Sequence, residues 1–291
     1  RAFAAAITAG GSLVTPIIPP GIALIIYGLV ADVSIGKMFI AGLVPGLLCA
    51  VVLMFTVYLV ARKTNAKPSR ESWPTGKEVV FSLGQAWPAL FLIFAVVGGI
   101  RANIFTPTEA GAVAVLIVLA IGFFIYREMR ISHVVKALGE TARATASVML
   151  VIMASAALGW IFSMEHAGVA VANFVTSLTE NKYMFLLIIN ILLLTLGMFL
   201  EGNAILLILV PLLKPVVEHF GIDPVHFGII MIFNLSIGAF TPPVGTVMLL
   251  VCNITQVSVG NFFKQSLPLL AALLLMLMLV TYIPAISLFL V

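Results

Sequence analysis

The stretch Gly238-Ala-Phe-Thr-Pro-Pro-Val-Gly245 lies in the middle of an apolar run covering residues 224–255. Proline removes an amide donor and clashes with the preceding helical turn. Glycine opens backbone angles that a helix forbids. Two of each within so few residues must unwind a helix that would otherwise run through. A second stretch, Gly11-Ser-Leu-Val-Thr-Pro-Ile-Ile-Pro-Pro20, interrupts the apolar segment 3–31 in the same way. Each begins after an apolar helix and is followed by another apolar half-helix, which makes a weak internal repeat. Aligned on Gly-x-x-x-x-Pro the offset is 227; aligned on the double prolines it is 223, and both registers stay open at this point.

Working outward, the whole chain is apolar. Of 291 residues, 62% are hydrophobic and 9% are charged, with a mean hydropathy of +1.23. A soluble domain carries about 25% charged residues, so most of this surface faces something other than water. Spans of roughly 20 apolar residues leave room for about nine or ten segments in one membrane domain. The net charge of +4 comes from cations spread thinly between apolar segments, the pattern of topology-setting loops and not of a nucleic-acid face. Cys49 and Cys252 sit far apart inside apolar runs, which argues against a disulfide framework. A transition-metal site and an organic cofactor are not expected. The chain opens at Arg1, already inside an apolar segment and without a signal peptide, and is expected to lack an upstream part.

The expected organisation has three parts. Residues 1–61 hold a broken helix (1–32) and a span (38–61). Residues 62–136 hold two basic loops, 62–78 and 127–136, and connecting scaffold spans at 79–100 and 109–126. Residues 137–291 hold a scaffold helix, a re-entrant hairpin (183–217), a broken helix (224–255) and a final span (265–291). Phe105-Thr-Pro-Thr-Glu-Ala110 reads as a helix start, with proline near the first turn and an acid against the N-terminus. Placing both basic loops in the cytoplasm is self-consistent, and it makes the two broken segments antiparallel.

Unwound backbone at membrane depth is tolerated only when buried in protein or lining a wet cavity. Its bare carbonyls suit a hard cation, and the N-terminus of the following half-helix suits an anion. Between 183–200 and 204–217 stand only Glu201-Gly202-Asn203, which favours a re-entrant hairpin with Asn203, and Glu201 beside it, at membrane depth. Two short spans, with Gly202-Asn203 as an ordinary turn, are the rival reading. Each break taken alone could be a simple kink; two in matching, opposed positions favour a site. His219 and His226 read as satisfied or solvated histidines, and Arg101 and Glu109 as helix caps. The methionines, Trp87 and Trp160 read as packing or interfacial residues. The run 127–143 reads as a solvated amphipathic helix start, not a lipid-binding site.

The segments 105–110, Gly221-Ile-Asp-Pro-Val-His-Phe-Gly228, 238–245 and 11–20 together resemble the large membrane subunit of TRAP (tripartite ATP-independent periplasmic) transporters, of the sialic acid or dicarboxylate type. The resemblance runs over the whole chain. It implies an all-α polytopic membrane protein of the elevator kind, with inverted repeats that each hold a re-entrant hairpin and a broken helix. It implies sodium-coupled symport of an organic acid and no enzymatic activity. The implied partners are a small four-helix membrane subunit and an extracytoplasmic binding protein, and the implied location is the bacterial inner membrane. The family's first repeat starts with scaffold helices and a first hairpin, and none of these precedes Arg1. Carried over residue by residue, one sodium site would use carbonyls near Gly11, Val14 and Pro16. A second would use Gly238, Thr241 and Pro243 with Gly202 and Asn203 at the hairpin tip. Substrate would sit between the breaks, near Ser12, Thr15, Asn234, Ser236 and Thr246. Rival readings are an ion-coupled anion transporter of this fold without a binding protein, and a channel or membrane scaffold. An intramembrane enzyme is disfavoured by the lack of His-Glu-x-x-His, Asp-Asp or Gly-x-Ser-x-Gly motifs.

Overall fold

The computed structural model describes residues 1–63, 74–102, 104–165 and 167–291, all of whose regular elements are helical. Among the described residues, seven helices are long and apolar enough to cross a membrane, and five apolar helices are shorter. The chain is therefore a polytopic membrane protein. The count of full spans falls below the composition-based expectation because the broken segments contribute half-helices.

The first broken segment is α1 (Ala2–Ser12), a break, and α2 (Ile22–Ala31). It leads into α3 (Ile35–Lys63). The chain divides into two compact units, residues 1–64 with 151–291, and residues 65–150. In the second unit, α4 (Gly76–Arg101) pairs with α5 (Pro107–Ala120). The expected helix start at Thr106 is a capping box: Glu109 N donates to Thr106 Oγ1 at 3.3 Å, and Thr106 N donates to Glu109 Oε2 at 2.7 Å. That arrangement satisfies two amides left over at a helix start. α5 ends in a π turn at Ile121–Ile125. The second basic loop is shorter than expected, because α6 (Ile131–Met164) already takes in Lys136. Of the first basic loop, Arg62 and Lys63 close α3 and Lys77 and Glu78 open α4; Lys67, Arg70 and Glu71 lie outside the described residues.

In the first unit, α7 (Ala167–Leu178) occupies the mixed segment before the hairpin. The residues of the expected hairpin form α8 (Lys182–Phe199) and α9 (Gly202–His219), each also long and apolar enough to cross a membrane. The turn between them is tighter than expected. Only Leu200 and Glu201 are non-helical, and Gly202 and Asn203 form the first turn of α9. α9 carries Pro211 and Pro215 inside it and runs to His219, two residues past the expected end at 217. Each interior proline removes one helical hydrogen bond, but Val210, Leu213, Val216 and Val217 are buried along the same stretch and hold it helical.

The second broken segment is α10 (Pro224–Phe240) and α11 (Thr246–Thr255), followed by α12 (Val259–Tyr282) and the short α13 (Ala285–Leu288). α10 is the centre of the unit. Every residue but Pro224 and Ala239 is buried, and α8, α9, α2, α3 and α12 pack around it. A helix apolar on all sides belongs in such a place. Tyr27 Oη, from the middle of α2, donates to Pro224 O at the start of α10 at 2.7 Å.

The two broken segments match closely after their breaks. Gly21 and Gly245 are N-caps without side-chain hydrogen bonds, and α2 and α11 both end on a left-handed residue, Asp32 (φ 58°) and Gln256 (φ 54°). The next amides close both ends alike: Val33 N donates to Gly28 O, and Val257 N to Cys252 O. The helices themselves start at 22 and 246 and end at 31 and 255, an offset of 224 that lies beside the double-proline register. The sequence carries this match as Val33-Ser-Ile-Gly36 against Val257-Ser-Val-Gly260.

Candidate functional site

The breaks form because their backbones run out of donors and acceptors in helical register. In the second, α10 stays helical through Phe240, so Gly238 and Ala239 are helical and the break is Thr241–Gly245. Thr241 N still reaches Gly238 O (2.9 Å), and Gly245 N donates to Met198 O of the hairpin (3.0 Å). Gly245 has φ +46°, a region that L side chains rarely adopt. The carbonyls of Thr241 and Ala239 crowd it, lying 2.7 and 3.1 Å from where a Cβ would stand. Two carbonyl oxygens thus converge beside the break. The Thr241 hydroxyl donates to Ile237 O at 2.7 Å, which leaves its lone pairs free.

The first break unwinds more gradually. Amides 13, 14 and 15 reach back three residues, to Gly10 O, Gly11 O and Ser12 O. Val14 O accepts from both Ile17 N and Ile18 N, each at 3.1 Å, so its two lone pairs are occupied. Pro16 O lies 2.5 Å from the position a Gly21 Cβ would take. The Ser12 hydroxyl donates to Ala9 O at 2.7 Å.

A cavity of about 190 Å³ lies where the three elements meet. The first broken segment supplies Pro16 and Ala23, and the hairpin tip supplies Glu201, Gly202 and Asn203. The second broken segment supplies Ser236, Ala239 and Thr246. Three helix N-termini, those of α2, α9 and α11, open onto this space. The α9 start is already capped: Glu201 Oε2 accepts from Ala204 N at 2.9 Å and Glu201 Oε1 from Asn203 Nδ2 at 2.7 Å. The α2 and α11 starts have glycine N-caps and no side-chain acceptor. Uncapped helix N-termini attract anions through both free amides and the helix dipole.

Of the expected site residues, Pro16, Gly202, Asn203, Ser236 and Thr246 line this cavity. Gly238, Thr241 and Pro243 stand in or just before the second break without lining it. Gly11 and Val14 instead face a separate groove of about 450 Å³ against Ala50, Leu53 and Leu269. Ser12 and Thr15 are exposed and line neither space. Asn234 turns into the core, where its Nδ2 donates to Asn190 Oδ1 (2.7 Å) and O (3.2 Å), and Asn190 Nδ2 donates to Thr281 Oγ1 (3.0 Å). Sequence reasoning missed Ala23, Val247 and Ala239. The first two are the second residues of α2 and α11, so the glycine N-cap before each was the signal that could have found them.

The sequence of residues 1–286 matches the family described as tripartite ATP-independent periplasmic transporter, DctM component. The chain belongs to this family. It is 40% identical over 292 residues to the C4-dicarboxylate TRAP transporter large permease protein DctM of Pseudomonas aeruginosa, covering 99% of this chain and 67% of that protein. It is 39% identical over 292 residues to the sialic acid TRAP transporter large permease protein SiaM of Vibrio cholerae, with the same coverage of 99% and 67%. The isethionate TRAP transporter permease protein DctMQ of Oleidesulfovibrio alaskensis is 38% identical over 99% of this chain, which covers 45% of it. The chain thus spans about two thirds of the length of the large permease relatives it matches. These relatives are transporter permeases, and the TRAP large permease family is not a family of enzymes.

Proposed function

We propose that this TRAP permease chain is the substrate-translocating part of a sodium-coupled symporter that carries an organic acid across the bacterial inner membrane by an elevator movement. The observation that carries the reading is the pair of uncapped, glycine-started helices, α2 and α11, opening onto one cavity beside carbonyls that have left their helices. Amides on one side suit the anion, and oxygens on the other suit a hard cation. The anionic class agrees with the substrates in the relatives' names, a dicarboxylate, a sialic acid and a sulfonate. Which acid is carried stays open among dicarboxylates, sialic acids, other sugar acids and keto acids.

The inverted-repeat reading is supported by three facts. α10 starts beside the middle of α2, α1 packs on α11 and α12, and both breaks precede a glycine-capped half-helix with a left-handed end. For sodium we propose Pro16 at the first break, and Gly238, Thr241 and Pro243 at the second, with Gly202 and Asn203 at the hairpin tip. Gly11 and Val14 are weaker candidates, since the Val14 carbonyl already accepts two amides. For substrate we propose Ser236 and Thr246 ahead of Ser12, Thr15 and Asn234. The partners proposed are an extracytoplasmic binding protein and a small membrane subunit; a permease named DctMQ is consistent with such a subunit joined to the large one.

Uptake into proteoliposomes that contain the permease, its small subunit and its binding protein tests the reading. Radiolabelled succinate and sialic acid are offered under an inward sodium gradient and in potassium-only buffer. Sodium-driven accumulation of one acid is expected. Equal uptake in both buffers would overturn the coupling, and failure to accumulate any organic acid would overturn the transport reading.

A further inference from the structure

Far along α10 from the break, the ends of three helices of the first unit come together. Tyr282 Oη, at the end of α12, donates to Tyr183 O, at the start of α8, at 3.2 Å. His226, in the first turn of α10, places Nε2 3.3 Å from Thr281 O. Between these ends lies a cavity of about 200 Å³, lined by Lys182, Tyr183, Asp223, His226, Tyr282 and Pro284 among others.

The depth of this cavity follows from its own helices. α12 is a 24-residue helix, long and apolar enough to cross a membrane, and it ends at Tyr282. Two tyrosines and a lysine surround that end. Tyrosine rings collect at the boundary between hydrocarbon and water, and lysine reaches out of it with its head group. The cavity therefore opens at the level of the lipid headgroups.

Its two charges face the same space without pairing. Among the described residues, neither Lys182 nor Asp223 takes part in an ion pair. Asp223 Oδ1 accepts from Val225 N and His226 N at 2.9 and 3.0 Å, while Oδ2 accepts nothing from the described residues. His226 adds a wall and no free nitrogen, because Ser287 Oγ and Thr281 O occupy both ring positions. An anion beside Lys182 would also meet the Asp223 carboxylate, and a cation beside Asp223 would meet the Lys182 ammonium. A zwitterion answers both at once. Lys182 Nζ stands 5.3 Å from the centre of the Tyr183 ring, so that ring is not free to cage a quaternary ammonium. A primary ammonium, which can donate hydrogen bonds to Asp223, is the better match. The volume suits a small group, since a water claims about 30 Å³ of liquid.

An apolar track leads away from the cavity. At the α-helical period, Leu275, Leu279 and Tyr282 fall within an arc of roughly 60° on α12. Leu275 and Leu279 are 62% and 40% exposed. A ligand held by Lys182 and Asp223 thus has room for a hydrocarbon chain running down the same helix face, which a lipid possesses and a soluble zwitterion lacks.

We infer that this cavity is a headgroup site for a phosphatidylethanolamine-type lipid, with the phosphate on Lys182, the primary ammonium on Asp223 and an acyl chain along Leu279 and Leu275.

The test places a bimane fluorophore on Leu275→Cys, in a background with Cys49 and Cys252 replaced by alanine, and reconstitutes the protein in vesicles. Phosphatidylethanolamine brominated on its acyl chains should quench it more strongly than phosphatidylcholine or phosphatidylglycerol brominated in the same way, at equal mole fraction. Asp223→Asn keeps an N-cap acceptor for α10 and should abolish the preference over phosphatidylcholine. Lys182→Gln should weaken phosphatidylethanolamine association by about fivefold, as loss of a cation near a membrane surface does, and Lys182→Arg should retain it. Equal quenching by the three lipids overturns the headgroup site, and an undiminished preference in Asp223→Asn overturns the assignment of the ammonium. Loss of the preference on adding soluble phosphoethanolamine would make the ligand a free zwitterion and overturn the lipid as its source. Lipid retention by the unmodified chain in native mass spectrometry, with phosphatidylethanolamine kept in preference to phosphatidylcholine, gives the same comparison without an engineered cysteine. Neither measurement reads transport, so a failure of the symporter reading leaves this result intact.

Discussion

Gly197 and Gly238 meet backbone to backbone: a Cβ on Gly238 would stand 2.6 Å from the carbonyl carbon of Gly197 and 2.7 Å from its Cα. This contact seats the end of α8 on the last turn of α10, directly before the break. Neither partner is the mobile end of a flexible side chain, so nothing can give cheaply. Gly238→Ala should cost about 1–3 kcal/mol through overpacking. Gly11→Ala, where a Cβ meets nothing within 4 Å, should be neutral or slightly stabilising, as alanine for glycine in a helix usually is. Thermal unfolding in detergent compares the two; equal melting temperatures would contradict the close approach.

The second break depends on main-chain geometry more than on the Thr241 hydroxyl. Gly245→Ala forces a side chain into the left-handed region at a cost of about 1–2 kcal/mol and drives it onto Thr241 O. Thr241→Ala loses one hydrogen bond, to Ile237 O at 2.7 Å, worth about 1 kcal/mol. Sodium-driven uptake should therefore fall further in Gly245→Ala, Gly245→Leu and Pro243→Ala than in Thr241→Ala. Loss of sodium dependence in the Thr241 variant alone would reverse this order of importance.

Glu201 holds the hairpin tip by capping α9. Glu201→Ala releases Ala204 N and Asn203 Nδ2 together and should destabilise by about 1 kcal/mol, the usual cost of a lost N-cap. Glu201→Asp and Glu201→Asn keep an acceptor in place and should melt close to the unchanged protein. If they melt as low as Glu201→Ala, the tip is held by something other than its cap.

A buried polar contact fastens the C-terminal segment to the core. His226, 2% exposed, places Nδ1 2.6 Å from Ser287 Oγ and Nε2 3.3 Å from Thr281 O. Ser287→Ala leaves a buried ring nitrogen without its partner, at a cost of about 1–3 kcal/mol. Once His226→Phe has removed the nitrogen, the same change should cost less, with a coupling of about 0.5–3 kcal/mol in the double-mutant cycle. Additive losses in denaturation midpoints would show that the two side chains do not act together.

Much of the fold was legible in the chain. Pro16, Pro19 and Pro20, like Pro242 and Pro243, announce helix breaks because a missing amide and a ring clash are local facts. Residues 105–110 announce a helix start for the same reason, and the structure closes it with a capping box of Thr106 and Glu109. Glu201-Gly202-Asn203 announces a tight turn between two helices, because two apolar stretches so closely joined leave little loop. The register between the two broken segments was less legible. Reading it from the prolines alone left two offsets, whereas the left-handed ends at Asp32 and Gln256 and the following Val-Ser-x-Gly carried the match.

The site itself was only partly readable. Ser12 and Asn234 are polar residues beside breaks, and nothing in their own sequence says that one bonds back to Ala9 O and the other turns into α8. Val14 looked like a donor of a free carbonyl, yet its oxygen is taken by two amides from residues further along. Hydropathy, proline positions and glycine spacing decided that this chain crosses a membrane with two interrupted helices and a hairpin, because those constraints act within a few residues. Which side chains share the cavity, and that Asn234 turns to Asn190, were decided by packing, because each depends on a neighbour that lies far away in the chain and arrives only when the helices assemble. The capture of Val14 O by Ile17 N and Ile18 N is local, but it follows from how the unwound backbone turns, which residue type alone does not state.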